Sequence, residues 1–302
     1  MKIVIIILNW NGKENTIACL ESIKQLESKN YQLEVAVVDN ASSDGSGDAI
    51  KNKFPKVTVI ENKKNLGFSG GNNVGITYAL ENNANYVLIL NNDTIVDKHL
   101  LNNLLEVAIS NEKVAIVAPK IYFAKGYEFH KDRYEKNERG KVIWYAGGIM
   151  DWSNVIGHHR GVDEVDKGQY EKIEETDFAS GCCMLIKGEV FKKVGMLDEK
   201  YFLYYEDSDL SEQTKRAGYS VIYAPKAILW HKNAGSAGGS GSSLQDYYIT
   251  RNRLLFGMRF APLRAKIALL KESMKLLIDG RDAQKKGILD FYFMRFGKGS
   301  YT

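Results

Sequence analysis

Tyr86-Val-Leu-Ile-Leu-Asn-Asn-Asp93-Thr94 is the stretch whose reading decides the fold. Tyr86 to Leu90 is a short apolar run of strand-forming residues, the pattern of a strand buried on both faces. It stops abruptly at Asn91, Asn92 and Asp93. In an open α/β sheet such a strand delivers its last residues to the crevice where ligands bind. A carboxylate there is costly unless paired or bound to a cation. Asp93 is therefore expected to hold a divalent metal, and the metal a diphosphate.

Working outward, the same alternation repeats. Lys2–Leu8 reads as a first strand, and Asn9-Trp-Asn-Gly12 as a turn. Ile17, Leu20, Ile23 and Leu26 at helical spacing predict about four helical turns. Glu34–Val38 is a second strand, ending in the turn-forming run Asp39–Ser46 before a short helix to about Phe54. Val57–Glu61 is a third strand. Asn65–Asn73 reads as a glycine-rich loop before a helix that runs through Leu80. A helix with Leu100, Leu101, Leu104, Leu105 and Ala108 on one face follows, then a strand at Val114–Ala118. Strands alternating with helices predict a mostly parallel sheet flanked by helices. Right-handed crossovers would then place every strand C-terminus on one edge. Asn9, Asp39, Glu61 and Asp93 all fall at such ends.

The rhythm breaks from about Tyr122 to Glu175, which reads as an insertion of short strands and loops. It returns with strands at Asp177–Ile186 and Ser220–Tyr223, then at Ile228–His231. Asn233–Ser243 is rich in glycine and serine, the composition of a flexible segment. From Leu244 the chain reads as helices. The expected organisation is 1–243 as one unit, with 1–120 a nucleotide-binding half and 121–243 an acceptor half, and 244–302 a basic helical extension.

The 302 residues are 44% hydrophobic and 26% charged, ordinary for a globular protein with an ample core. The net charge of +4 is unevenly placed. Residues 251–302 hold 12 Lys/Arg against 4 Asp/Glu, a net +8 that leaves −4 on the rest. A basic tail suits an anionic surface or substrate, and equally a solvated helical face. Cys19, Cys182 and Cys183 lack metal-ligand spacing, which points to structural thiols in a reducing compartment. Met1–Leu8 is too short for a signal sequence, and no apolar stretch suffices to span a membrane. The expected location is cytoplasmic, with peripheral contact at the inner face of the membrane. Leu269, Leu270, Leu277 and Ile278 with Lys266, Lys271 and Lys275 make 263–278 an amphipathic cationic helix. It is suited to anionic lipid, or to packing on the body or in a homodimer.

Several other positions carry chemistry, each with a plainer alternative. Asp39 fits an Asx turn, or an acceptor for a nucleobase or ribose donor. Glu206, Asp207 and Asp209 fit a helix N-terminal charge bias. Crowded against Phe202, Tyr204 and Tyr205, they also fit carboxyls raised by repulsion and desolvation, able to take a proton near neutrality. His231 is a structural histidine unless it converges on Asp93, where an imidazole would complete a metal site. Arg251 and Arg253 suit a diphosphate through bidentate bonds, or ordinary helix packing.

In order along the chain stand Leu8-Asn-Trp-Asn-Gly12, Val38-Asp-Asn-Ala-Ser-Ser-Asp-Gly45, Asn65-Leu-Gly-Phe-Ser-Gly-Gly-Asn72 and Leu90-Asn-Asn-Asp93. Ala179-Ser-Gly-Cys-Cys-Met184, Tyr205-Glu-Asp-Ser-Asp-Leu210 and Trp230-His231 complete the set. The ordered set resembles family 2 glycosyltransferases of the GT-A fold, in particular a rhamnosyltransferase-like branch. The resemblance implies that Asp39 reads a uracil or thymine base with Asn9 and Asn11 nearby. Asn65, Gly67, Gly71, Asn72 and Asn92 would lie along the nucleotide. Asp93 would be the metal acid of a D-x-D motif whose first acid is here Asn91, and His231 a further ligand to Mn²⁺ or Mg²⁺. Ser180, Gly181 and Cys182 would border donor sugar and acceptor. Asp207 would be the catalytic base, with Glu206 the alternative. The implied reaction is inverting, metal-dependent transfer from dTDP-rhamnose or a UDP-hexose to a glycan or lipid-linked glycan in cell-surface polysaccharide synthesis. Two rivals stand beside it: a sugar-1-phosphate nucleotidyltransferase, which would want a basic phosphate motif after the first strand, and a non-catalytic nucleotide-sugar-binding module.

Overall fold

A computed structural model describes residues 1–27, 31–233 and 241–301. The first part alternates strand and helix: β1 (Lys2–Asn9), α1 (Lys13–Ile23), β2 (Gln32–Asp39), α2 (Ser46–Lys53), β3 (Thr58–Glu61), α3 (Gly67–Glu81) and β4 (Tyr86–Asn91). Then come β5 (Thr94–Val96), α4 (Leu100–Ala108) and β6 (Val114–Phe123). The insertion holds four short strands, β7 (Ile143–Tyr145), β8 (Gly148–Asp151), β9 (Ile156–His159) and β10 (Glu174–Glu175). After it follow β11 (Cys183–Lys187), α5 (Gly188–Val194), α6 (Glu206–Arg216) and β12 (Ser220–His231). Three helices close the chain: α7 (Ser243–Phe260), α8 (Leu263–Asp279) and α9 (Asp282–Tyr292).

The main sheet runs β10-β12-β6-β11-β4-β1-β2-β3, with β5 against β12 and β7 against β6. Continuous apolar strands occupy its centre because both faces are covered: Ile3 to Ile7 and Val87 to Leu90 are buried throughout. β4 lies between β1, which is parallel to it, and β11, which is antiparallel. The sheet is thus mostly parallel, but not every strand ends on the functional edge. β11 runs backwards, and this brings its start there: Cys183 pairs with Leu90, so residues 180–182 arrive beside the end of β4.

Four local expectations change. The segment from Gly67 is not a loop but the first turns of α3. Its small residues let the helix ride close on β1: a Cβ at Gly71 would lie 2.4 Å from Leu8, and one at Gly75 2.4 Å from Ile6. α1 is three turns long, and Leu26 lies beyond it. The strand expected from Asp177 starts at Cys183. The pieces 220–223 and 228–231 are one strand, β12, whose pairing with β6 slips between Ala224 and Ile228, where Pro225 has no amide to give. The glycine- and serine-rich segment overlaps 234–240, outside the described residues. Among the described residues no helix is long and apolar enough to cross a membrane.

Candidate active site

The carboxyl end of β4 and the end of β12 meet at β5. β5 pairs antiparallel with β12, and Thr94 stands opposite His231. That pairing sets His231 Nε2 3.1 Å from Asp93 Oδ1, although 138 residues separate them. Both side chains are buried. Trp144 packs edge-on against the His231 ring at 4.6 Å and against His159 at 4.3 Å. The His231 Nδ1 atom is buried and has no hydrogen-bond partner among the described residues. His159 Nδ1 donates to the Trp144 carbonyl oxygen at 3.1 Å, and burial pushes its pKa down to about 4.

The Asp93–His231 pair fits a divalent cation. A carboxylate oxygen and an imidazole nitrogen are donors that Mn²⁺ and Mg²⁺ accept, the nitrogen favouring Mn²⁺. The two donor atoms stand 3.1 Å apart, so both converge on one point at the strand ends. No cluster of three or more His, Cys, Asp or Glu side chains forms among the described residues.

The strand-end edge at β1 and β2 is a connected polar network. Asn9, fully buried, donates to Asp39 Oδ1 (2.8 Å), Ser46 Oγ (2.7 Å) and Ser42 Oγ (3.1 Å). Its own oxygen accepts from Thr16 (2.7 Å) and Asn92 (3.3 Å). Asn9 therefore holds Asp39 in place rather than facing a ligand. Asp39 Oδ1 takes both short bonds, from Asn9 and Ser42, whereas Oδ2 has only a long contact with the Ser42 amide at 3.4 Å. Asn11 is exposed in a left-handed conformation and accepts from the Ser43 amide. Asn65 caps the approach to α3, accepting from Gly67 N (2.8 Å) and Asn40 (3.0 Å). Gly67, with φ +76°, passes under Phe202, where a Cβ would lie 2.4 Å away. Asn72 bonds back to the Phe68 carbonyl, leaving its buried oxygen without a partner among the described residues.

On the other side, the three carboxylates separate into different environments. Asp209 is tied to Tyr201, Gln213 and Arg259, a structural brace. Glu206 is buried with Oε2 unpartnered among the described residues. Its pKa is pushed well up, first by burial and then by Asp207. Asp207 remains partly accessible. Burial raises it too, opposed by bonds from the Gly181 and Ser208 amides. Two backbone-linked bonds connect it to β4: Gly181 N donates to Asp207 Oδ2 (2.9 Å), and Asn91 N donates to the Cys182 carbonyl (2.8 Å). Ser180 accepts from the Cys182 amide at 3.3 Å. Cys182 and Cys183 are buried with thiols raised by desolvation, and Cys19 is raised to about 12 for the same reason.

The loop ahead of α6 is strained. Phe202, Tyr204 and Tyr205 all have positive φ (62°, 69° and 74°), a conformation costing about 1–3 kcal/mol each. α7 restrains it. Asn252 donates to the carbonyls of Tyr201, Leu203 and Tyr204 at 2.8–2.9 Å. Arg251 donates to those of Lys200 (3.1 Å) and Tyr201 (2.9 Å). This corrects the expectation for both arginines. Arg251 is fully buried and spends its fork on this loop, and Arg253 is held by Glu272 and the Asn154 carbonyl. Neither is available to a diphosphate.

Sequence reasoning missed six contributors. Asn40, buried, joins Asn65, Gly67, Leu66 and Asn62; its place beside Asp39 was the available signal. Thr16, Ser42 and Ser46 complete the Asn9 network but look like ordinary turn residues. Trp144 lies in the aperiodic insertion. Asn252 was visible only as part of a basic segment.

The glycosyl transferase family 2 model matches residues 4–195. The chain is 27% identical over 253 residues to the low-salt glycan biosynthesis hexosyltransferase Agl10 of Haloferax volcanii, covering 83% of this chain and 74% of that one. It is 26% identical over 222 residues to the N-acetylglucosaminyl-diphospho-decaprenol L-rhamnosyltransferase of Mycobacterium tuberculosis, 69% of each. The mannosyltransferase PcManGT of Pyrobaculum calidifontis, solved with GDP-Man and Mn²⁺, superposes with a TM-score of 0.57 at 16% identity, over 97% of this chain and 74% of that one. A strand-end Asp93, a reversed β11 beside it and a family match over most of the sheet lead to one conclusion: this chain belongs to glycosyl transferase family 2 and is a hexosyltransferase-type enzyme of the GT-A fold.

Proposed function

We propose that the chain transfers rhamnose from dTDP-rhamnose, or a hexose from a UDP-hexose, to a glycan or lipid-linked glycan during cell-surface polysaccharide synthesis, inverting the anomeric centre. One observation carries the reading: Asp93 and His231 touch at the strand ends, and Asp207 is linked to the same edge through Gly181 and Cys182. The named relatives support the sugar and acceptor classes, one of them acting on a decaprenol-linked saccharide. The sugar-1-phosphate nucleotidyltransferase and the non-catalytic module fall to the family assignment.

Asp39 Oδ2, the less engaged oxygen, accepts the imide N–H of the pyrimidine, while Asn65, Gly67, Gly71 and Asn72 lie along the nucleoside with Asn11 and Asn92 at the rim. Asp93 and His231 would hold Mn²⁺ or Mg²⁺, which when bound would neutralise charge on the departing diphosphate. Asp207 takes the proton of the acceptor hydroxyl as that oxygen bonds the anomeric carbon and the carbon–diphosphate bond breaks. Ser180, Gly181 and Cys182 border the reacting sugar. Glu206, sealed from solvent and held at a raised pKa, is the weaker candidate for the base. Residues 1–243 form the transfer unit, with 1–120 on the nucleotide and 121–243 on the acceptor. Residues 244–302 brace it through α7, and the enzyme works in the cytoplasm.

The test is product analysis with a panel of dTDP- and UDP-sugars, with and without EDTA. Transfer with an inverted anomeric proton coupling, abolished by EDTA and restored by Mn²⁺, supports the reading. Turnover indifferent to chelator, or retention of configuration, refutes it.

A further inference from the structure

α8 carries two apolar faces, not one. Ala265, Leu269 and Ser273 are buried against the body, with Leu269 filling the space beside Gly257 of α7. The expectation that Leu269 belongs with the outward residues is therefore corrected. The outward face holds Leu263, Ile267, Leu270, Met274 and Ile278, which are 37–82% exposed. At 3.6 residues per turn these five fall within an arc of about 100° along about 23 Å of helix. Exposed apolar side chains scattered singly need no account, but a continuous stripe does.

Cations flank the stripe on both sides: Arg264, Lys271 and Lys275 along one edge, Lys266 along the other. Among the described residues none of the four has an ion-pair partner, and no carboxylate falls within the arc. The two acids of α8, Glu272 and Asp279, lie on the far side of that edge, Glu272 paired with Arg253. Past the end of α9, Phe293 and Met294 are exposed as well, and Tyr292 bonds Ser273 of α8.

We infer that this face of α8 docks on an anionic lipid surface, its apolar stripe entering the interface and its flanking cations meeting the lipid phosphates. The charge pattern selects lipid over a second copy of the chain. A twofold pairing of this face would set cation rows against cation rows with no anion between them, which is unfavourable. A negatively charged bilayer complements both the stripe and its edges. The inference is independent of the transfer chemistry, since none of these residues touches the strand-end site.

The test is co-sedimentation of the full chain with vesicles of phosphatidylcholine, with and without phosphatidylglycerol, at low and high salt. The wild type should pellet with the anionic vesicles only, less so at high salt. Lys271→Glu/Lys275→Glu should weaken partition by roughly fivefold or more per residue. Ile267→Asp/Met274→Asp should weaken it by roughly tenfold or more. Both variants should keep wild-type melting and donor hydrolysis, because every altered side chain is at the surface. Wild-type protein that stays in the supernatant with anionic vesicles overturns the inference, as does equal pelleting of wild type and both variants. A dimer that Ile267→Asp/Met274→Asp dissociates, with vesicle partition unchanged, overturns it too and makes the face a contact between chains.

Discussion

The two sides of the crevice are built on opposite plans. On the nucleotide side, around Asn9, Asp39 and Asn40, the amide groups form a closed network in which nearly every donor has an acceptor. On the acid side, three aromatic residues sit at positive φ, one carboxyl oxygen is buried without a partner among the described residues, and Glu206 and Asp207 are raised by desolvation. A satisfied network is rigid and presents a fixed surface to a ligand that must be recognised. Strain and desolvation persist only where the surrounding structure imposes them, and here Arg251 and Asn252 of α7 do so. On the proposed reading, the difference separates binding from proton transfer, and mutations should divide accordingly.

The largest effect is expected at Asp207. Asp207→Asn should lower the rate of transfer by about 10²–10⁴-fold while leaving donor affinity within about twofold, read by steady-state kinetics and calorimetry. An equal loss of donor affinity would break the proposed division. Next is Asn252→Ala, which takes the side-chain donor from the Leu203 and Tyr204 carbonyls while Arg251 still holds that of Tyr201. It should destabilise by about 2–4 kcal/mol and lower kcat by roughly tenfold with donor KM unchanged; a change in KM alone would place the loop on the nucleotide side. Asp39→Ala is the mirror case. Loss of a charged acceptor should weaken nucleotide binding by roughly 10–100-fold and leave kcat at saturating donor nearly intact.

The smallest effect, and the sharpest for choosing the base, is at Glu206. Burial raises its carboxyl, so between the ordinary and the raised pKa the folded chain holds a proton that the unfolded chain has lost. Stability therefore falls as pH rises through that window, and the penalty is fully present above the raised value. Glu206→Gln removes it. The variant should melt higher than wild type at pH 8 and equally at about pH 4, with transfer within about threefold. Abolished transfer would make Glu206 the base instead.

The contrast also explains what the sequence made legible. The place of Asp93 just past β4 was readable because the apolar strand run stops there, and the helix–strand rhythm up to β6 follows from hydrophobic period alone. The reversal of β11 was not readable, because Cys183–Ile186 is as apolar as its parallel neighbours and direction leaves no mark on composition. The start of α3 was misjudged because glycine signals turns locally, whereas here it admits Leu8 and Ile6, a contact that only the packed sheet defines. Arg251 looked like a phosphate ligand since its charge was visible and its burial was not. Trp144 came from a segment with no period, placed by pairing of β7 with β6.

The most direct measurement is calorimetric titration of dTDP and UDP into wild type, Asp93→Ala and His231→Ala, each with Mn²⁺ and with EDTA. The account predicts that Mn²⁺ tightens wild-type binding by roughly tenfold or more and that either substitution removes this gain while leaving the EDTA affinity unchanged. Equal wild-type affinity in Mn²⁺ and EDTA, or a gain that survives both substitutions, would contradict it.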